Sequence, residues 1–148
     1  MNSMIQGVEI LLVEDNENDA ELTIRALKKN NLANGLLHLS DGEKALNFIF
    51  GEGEYAGRHI EERPRVIVLD INMPRVGGIE VLERLKSDER TKLIPVIVLT
   101  SSKESPDVHR CYELGVNSYV VKPVEFEDFF KAIASLGFFW MIVNQPPA

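Results

Sequence analysis

Five short runs rich in Val, Ile and Leu, at positions 8–13, 36–39, 66–69, 96–99 and 119–121, most constrain how this chain can fold, because most are apolar at every position instead of every second one. A strand that is apolar on both faces has to be covered on both, which is the condition of a parallel sheet lying between helices. Helical patterns separate these runs, at 19–29, 43–50, 79–85, 106–114 and 126–136, several opening on capping or turn residues. The alternation predicts an α/β domain with helices on both faces of the sheet. Right-handed crossovers then bring the C-terminal ends of all the strands to one edge, where open α/β sheets hold their sites.

The 148 residues suit a single domain, with a core expected over about 7–136 and a C-terminal extension over 137–148. A net charge of -7, from 16 Lys and Arg against 23 Asp and Glu, works against phosphate backbones and anionic membranes, so neither nucleic acid nor membrane is an expected partner. Cys111 is the sole cysteine, and no basic segment with an apolar run and cleavage site opens the chain; both features predict a reducing, cytoplasmic setting. The longest apolar stretch, 138–143, falls well short of the roughly 20 residues of a membrane helix. The one irregular stretch, 51–64 (GEGEYAGRHIEERP), is expected to be a long surface loop after the second helix.

The first strand ends in Glu14 and Asp15, the third in Asp70 and the fourth in Thr100, while the fifth runs into Lys122 and Pro123. Carboxylates converging there would repel one another unless a cation lay between them, and a few carboxylates with water and phosphate oxygens are the donor set of Mg²⁺. An ionised Asp70 can act as a nucleophile and form an acyl phosphate. Lys122 could then pair with one phosphoryl oxygen and Thr100 hydrogen-bond another.

The segments ILLVEDN, VIVLDINMPRVGGIEVL, VIVLTSS and SYVVKPV together resemble the motifs of response regulator receiver domains of the chemotaxis Y type, in the right order and over most of the chain. The resemblance implies a flavodoxin-like sheet in the order 2-1-3-4-5. It implies a single-domain response regulator of a two-component phosphorelay that accepts a phosphoryl group from a sensor histidine kinase on Asp70 with Mg²⁺. Such a protein is a switch that assists its own phosphorylation and dephosphorylation, not an enzyme acting on a separate substrate. By position, Asp15 resembles the direct metal carboxylate, Glu14 the outer one acting through water, and Asn72 the residue lending a backbone carbonyl to the metal. Thr100 and Tyr119 resemble the hydroxyl and aromatic that shift together on phosphorylation, Lys122 precedes a proline usually joined through a cis bond, and the small Ser101 leaves the phosphate accessible. The 51–64 insertion and the FFW-containing C-terminus look like those of cyanobacterial regulators partnered with phytochrome histidine kinases.

Other readings of the same residues are plainer. Asp15 and Asn16 followed by Asp19 fit an N-cap and an acidic first turn, Gly77 and Gly78 fit a helix-entry turn, and Ser102 fits an ordinary polar turn. His38, His59, His109 and Cys111 have no ligand spacing and are assigned no role. The rival function is a phosphohydrolase of the haloacid dehalogenase type, but such enzymes carry an acid/base aspartate two residues after the nucleophile, where this chain has Asn72. A flavin module of flavodoxin type needs a phosphate loop after the first strand, where Glu14 and Asp15 would repel the ligand.

Two apolar features point outward. On a helical projection Ala20, Ile24 and Leu27 share a face, whereas Leu22 lies opposite with Asn18 and Arg25, and kinases of this family commonly grip that helix. The run 138–143, which includes Trp140, is longer than one face of a helix can bury; either Gly137 ends the helix and the run folds back over the sheet edge, or, as expected here, it forms a two-fold homodimer through the last helix.

Overall fold

Each apolar run of the sequence forms a strand: β1 (Ile10–Val13), β2 (Leu36–Leu39), β3 (Val66–Asp70), β4 (Val96–Thr100) and β5 (Ser118–Val121). The helices α1 (Glu17–Lys28), α2 (Gly42–Phe50), α3 (Gly78–Ser87), α4 (Pro106–Glu113) and α5 (Phe126–Ser135) alternate with them. The structure is a computed structural model, and it describes residues 8–28, 35–73, 76–101, 106–116 and 118–135. The extension 137–148, with Trp140, and Ser102 lie outside the described residues.

The strands pair in parallel in the order β2-β1-β3-β4-β5, the flavodoxin-like order expected. Alternate side chains of each strand enter opposite layers, as the pleat requires. Ile10, Leu12, Val66, Val68, Ile97 and Leu99 pack with Ala20 and Leu27 of α1 and Phe129 and Ala132 of α5. Leu11, Val13, Ile67, Leu69, Val96 and Val98 face the other way, against Phe48 and Ile49 of α2, Val81, Leu82 and Leu85 of α3 and Val108 and Cys111 of α4. This double covering is why β1, β3 and β4 are buried at every position while the edge strand β2 is only half-buried over most of its length.

Element ends differ from the periodicity by at most two residues, and local caps decide several of them. Asn16 Oδ1 accepts the Asp19 N–H at 2.9 Å, so α1 opens at Glu17. Asp41 caps α2 by accepting the Lys44 N–H at 2.7 Å, and Gly51, left-handed at φ 64°, closes it.

The 51–64 insertion is on the surface, as expected, but it is not a free loop. It begins with a short 3₁₀ turn (Gly53–Tyr55) and folds back on α2. The Arg58 guanidinium lies 3.8 Å from the Phe48 ring centre and donates to the Phe48 carbonyl, while the Tyr55 ring meets Phe48 edge-on at 5.2 Å. Stacking of a cation and an aromatic edge on one buried ring ties the insertion to the core.

Gly78, expected to be only part of a helix-entry turn, has a packing reason of its own. A Cβ there would lie 2.4 Å from the Asp70 carbonyl oxygen and 2.5 Å from Ile71 Cα, both backbone atoms that cannot swing aside. Glycine therefore lets α3 start directly against the end of β3. Gly78→Ala is expected to lower stability by about 2 kcal/mol, an overpacking cost at fixed backbone, read as a lower urea midpoint with an unchanged slope.

Candidate functional site

The parallel pairing of all five strands brings Glu14, Asp15, Asp70, Thr100 and Lys122 to the C-terminal edge of the sheet. Ligand oxygens of Glu14, Asp15 and Asp70 all lie within 4.8 Å of one another. Glu14 and Asp70 are buried, at 0% and 1% exposure, and Asp15 is half-buried. Parallel register explains the convergence: Val13 of β1 is beside Leu69 of β3, so the residues that follow each emerge together.

Backbone donors hold two of these carboxylates. Asp70 Oδ1 accepts the Asn72 N–H at 3.0 Å, and Glu14 Oε2 accepts the Asn16 N–H at 3.2 Å. Lys122 follows β5, its N–H donating to the Thr100 carbonyl at 2.8 Å, and its bond to Pro123 is cis, as expected. Its ammonium lies 2.7 Å from Glu14 Oε1, 3.1 Å from Asp19 Oδ2 and 3.2 Å from Asp70 Oδ2. One cation thus offsets the crowding of three carboxylates.

The titration behaviour follows from this geometry. Burial pushes the Glu14 carboxyl up to about 8, reinforced by its hydrogen bond to Asp70 and opposed by Lys122. Burial disfavours the Lys122 ammonium, but Glu14, Asp70 and Asp19 outweigh it and hold the amine above its ordinary range. Glu14 Oε1 is buried, its contact to the ammonium an ion pair. Three carboxylates with ligand oxygens within 4.8 Å of one another, two of them buried, are a hard-oxygen set that fits a divalent cation.

Thr100 is fully buried at the end of β4, beside Val121 of β5. Exposed Asn72 and Ser101 face each other, Asn72 Nδ2 standing 3.5 Å from Ser101 Oγ. Tyr119 stands apart from the acidic cluster. It is half-buried, two residues before Val121, and its ring meets Tyr112 of α4 edge-on at 5.9 Å.

Two contributors were not evident from sequence. Asp19, read there as an acidic first turn, also reaches Lys122. His38, assigned no role, has Nε2 2.8 Å from the Glu14 carbonyl oxygen and so borders the site from β2. The only signal for Asp19 was its position one helical turn after Asp15, and no local pattern marked His38. Leu22 is 46% exposed, as the helical projection required.

Known proteins share this arrangement. The response regulator receiver domain family matches residues 10–134. Response regulator Rcp1 of Synechocystis sp. is 40% identical over 139 residues, covering 94% of this chain and 92% of that protein. A crystal structure of the Mn²⁺-bound form of Rcp1 aligns with a TM-score of 0.72 at 40% identity, covering 94% of this chain and 98% of that one. The bacteriophytochrome response regulator RtBRR aligns with a TM-score of 0.83 at 50% identity, covering 93% and 82% of the two chains. The phosphorylated cyanobacterial phytochrome response regulator RcpA aligns with a TM-score of 0.73 at 36% identity, covering 94% and 97%. These matches favour the receiver reading over the haloacid dehalogenase alternative. With its five-stranded parallel sheet, its acidic edge and a match over most of its length, the chain belongs to the response regulator receiver domain family, the signalling switches of two-component systems.

Proposed function

We propose that this chain is a single-domain response regulator, with its core over 7–136, that accepts a phosphoryl group on Asp70 from a sensor histidine kinase in the presence of Mg²⁺. The observation that carries this reading is the meeting of Glu14, Asp15 and Asp70 within 4.8 Å beside the Lys122 ammonium. Asp70 attacks the phosphorus of a phosphohistidine, the P–N bond breaks with its electron pair staying on the imidazole, and an acyl phosphate forms. Asp15 and Asp70 would hold Mg²⁺, with the Asn72 backbone carbonyl and with Glu14 acting through water. The ion supplies positive charge against the incoming phosphoryl oxygens.

Lys122 donates to one phosphoryl oxygen and Thr100 to another, while the exposed Ser101 leaves the approach to Asp70 open. Thr100 and Tyr119 then shift together, changing the face formed by α4, β5 and α5, and the chain assists the hydrolysis of its own acyl phosphate. The names of RtBRR and RcpA, both phytochrome response regulators, support a phytochrome-type kinase as the donor. Exposed Leu22 on α1 is a grip for that kinase. A cytoplasmic setting is consistent with a buried, unpaired Cys111 and with no described helix being long and apolar enough to cross a membrane.

Radiolabel from the kinase or from acetyl phosphate is expected on the wild type and lost with Asp70→Asn. Leu22→Glu is expected to slow transfer from the kinase about tenfold while sparing the small donor, because only the protein donor needs the α1 surface. Equal loss with both donors would refute the docking role.

Cation binding should be linked to protons. Below pH 8 the cation-free Glu14 is mostly protonated, and the added positive charge favours its ionised form. Mg²⁺ affinity should therefore rise as pH increases from 6 and level off above about 8, with close to one proton released at pH 7. Calorimetry in buffers of different ionisation enthalpy measures both, and a flat affinity over that range would contradict the linkage.

We further propose a two-fold homodimer through the last helix and Trp140, because the apolar run 138–143 is longer than one face of a helix can bury and aromatics are enriched at interface anchors. Sedimentation of wild type and Trp140→Ala at micromolar concentration, with and without phosphorylation, is expected to show a dimer only for the wild type.

A further inference from the structure

We propose that Asp19 is a positioning residue for Lys122, a carboxylate outside the cation-binding cluster that keeps the ammonium aimed at Asp70 once the cation has engaged Glu14 and Asp70. This rests on the reading of Asp70 as the phosphoryl acceptor.

The geometry separates Asp19 from the other partners of the lysine. Glu14, Asp15 and Asp70 form the acidic cluster, and Asp19 is not part of it. The Lys122 ammonium nonetheless donates a hydrogen bond to Asp19 Oδ2 at 3.1 Å, while Glu14 Oε1, 2.7 Å away, is its ion-pair partner inside the cluster. An ammonium carries three donors and no acceptor, on a flexible stem with no fixed direction of its own. Without the cation, Asp70 holds it electrostatically and Glu14 lies beside it. A divalent cation competes with the ammonium for the oxygens of the cluster, and Asp19 is then the counter-charge that lies outside it.

Asp19 is built to hold still. Its N–H donates to Asn16 Oδ1 at 2.9 Å, and its carbonyl accepts the Thr23 hydroxyl at 2.9 Å. Its negative charge in the first turn of α1 is favoured by the helix dipole. Asp19 and Lys122 line one small cleft with Leu22, Thr23, Pro123 and Val124, so the pair ties α1 to the segment between β5 and α5. A lysine held at one side by Asp19 keeps another N–H free for a phosphoryl oxygen on Asp70, which lowers the entropy lost in reaching the transition state.

The test is the rate of Asp70 phosphorylation by acetyl phosphate at saturating Mg²⁺ in the full chain. Asp19→Asn is expected to lower the rate constant about fivefold, with Mg²⁺ affinity within twofold of wild type. Asp19→Glu, which keeps the charge, should recover part of that loss. In a Lys122→Ala background, Asp19→Asn should have no further effect, because its action passes through the lysine. An unchanged rate in Asp19→Asn, or the same fractional loss with and without Lys122, would overturn the proposal, the second result marking a purely structural role. Asp19→Glu no faster than Asp19→Asn would also overturn it. A wild type that takes no label on Asp70 would refute the acceptor reading itself, whereas a labelled wild type with independent effects refutes only the positioning role.

Discussion

One half-buried ammonium holds the acidic edge of this protein together. Glu14 and Asp70 are almost without solvent, and a third carboxylate, Asp15, lies within ligand distance of them. Charges removed from water in this way cost several kcal/mol each unless they are compensated. Lys122, with a side chain only 16% exposed, provides that compensation by pairing with Glu14, Asp19 and Asp70. The same arrangement leaves the edge poised for exchange, because the compensation is electrostatic and a divalent cation can take over part of it. Burial dominates at Glu14, whose carboxyl is pushed up to about 8 with Lys122 opposing the rise.

The rest of the fold serves to bring these groups to one place. Full burial of β1, β3 and β4 requires helices on both faces, and that layering sets the strands in parallel register. Register then does for chemistry what a binding loop does elsewhere: the residues just past Val13 and Leu69 have no freedom to separate. Gly78 completes the enclosure by admitting α3 against the Asp70 backbone, and His38 borders Glu14 from the outer strand. Stability and function are thus coupled through the backbone at the end of β3, not only through the acidic side chains.

The surface is divided in a matching way. Leu22 and the Asp19–Lys122 pair share one cleft on the α1 side. Tyr119 and Tyr112 lie together on the α4–β5 side, joined to the site through the β4–β5 ladder that pairs Thr100 with Val121. Asp70 therefore lies between these two surfaces.

Much of this was written in the chain. Apolar runs without alternation determined the two-sided parallel sheet, and the residues ending those runs determined Glu14, Asp15, Asp70, Thr100 and Lys122 as one group, because strand ends share an edge whatever the details of packing. The helical period of α1 likewise left Leu22 outside. Tertiary structure decided the rest. Asp19 and Lys122 are 103 residues apart, so no local pattern records their contact. Gly78 looked like turn chemistry until the approach of α3 to Asp70 was known, and 51–64 looked like a loop until Arg58 and Tyr55 closed on Phe48. The physical reason is the same in each case. Periodicity reports which face of an element avoids water, whereas a side chain's partner depends on the distance and angle between elements, which are set only when the layers pack.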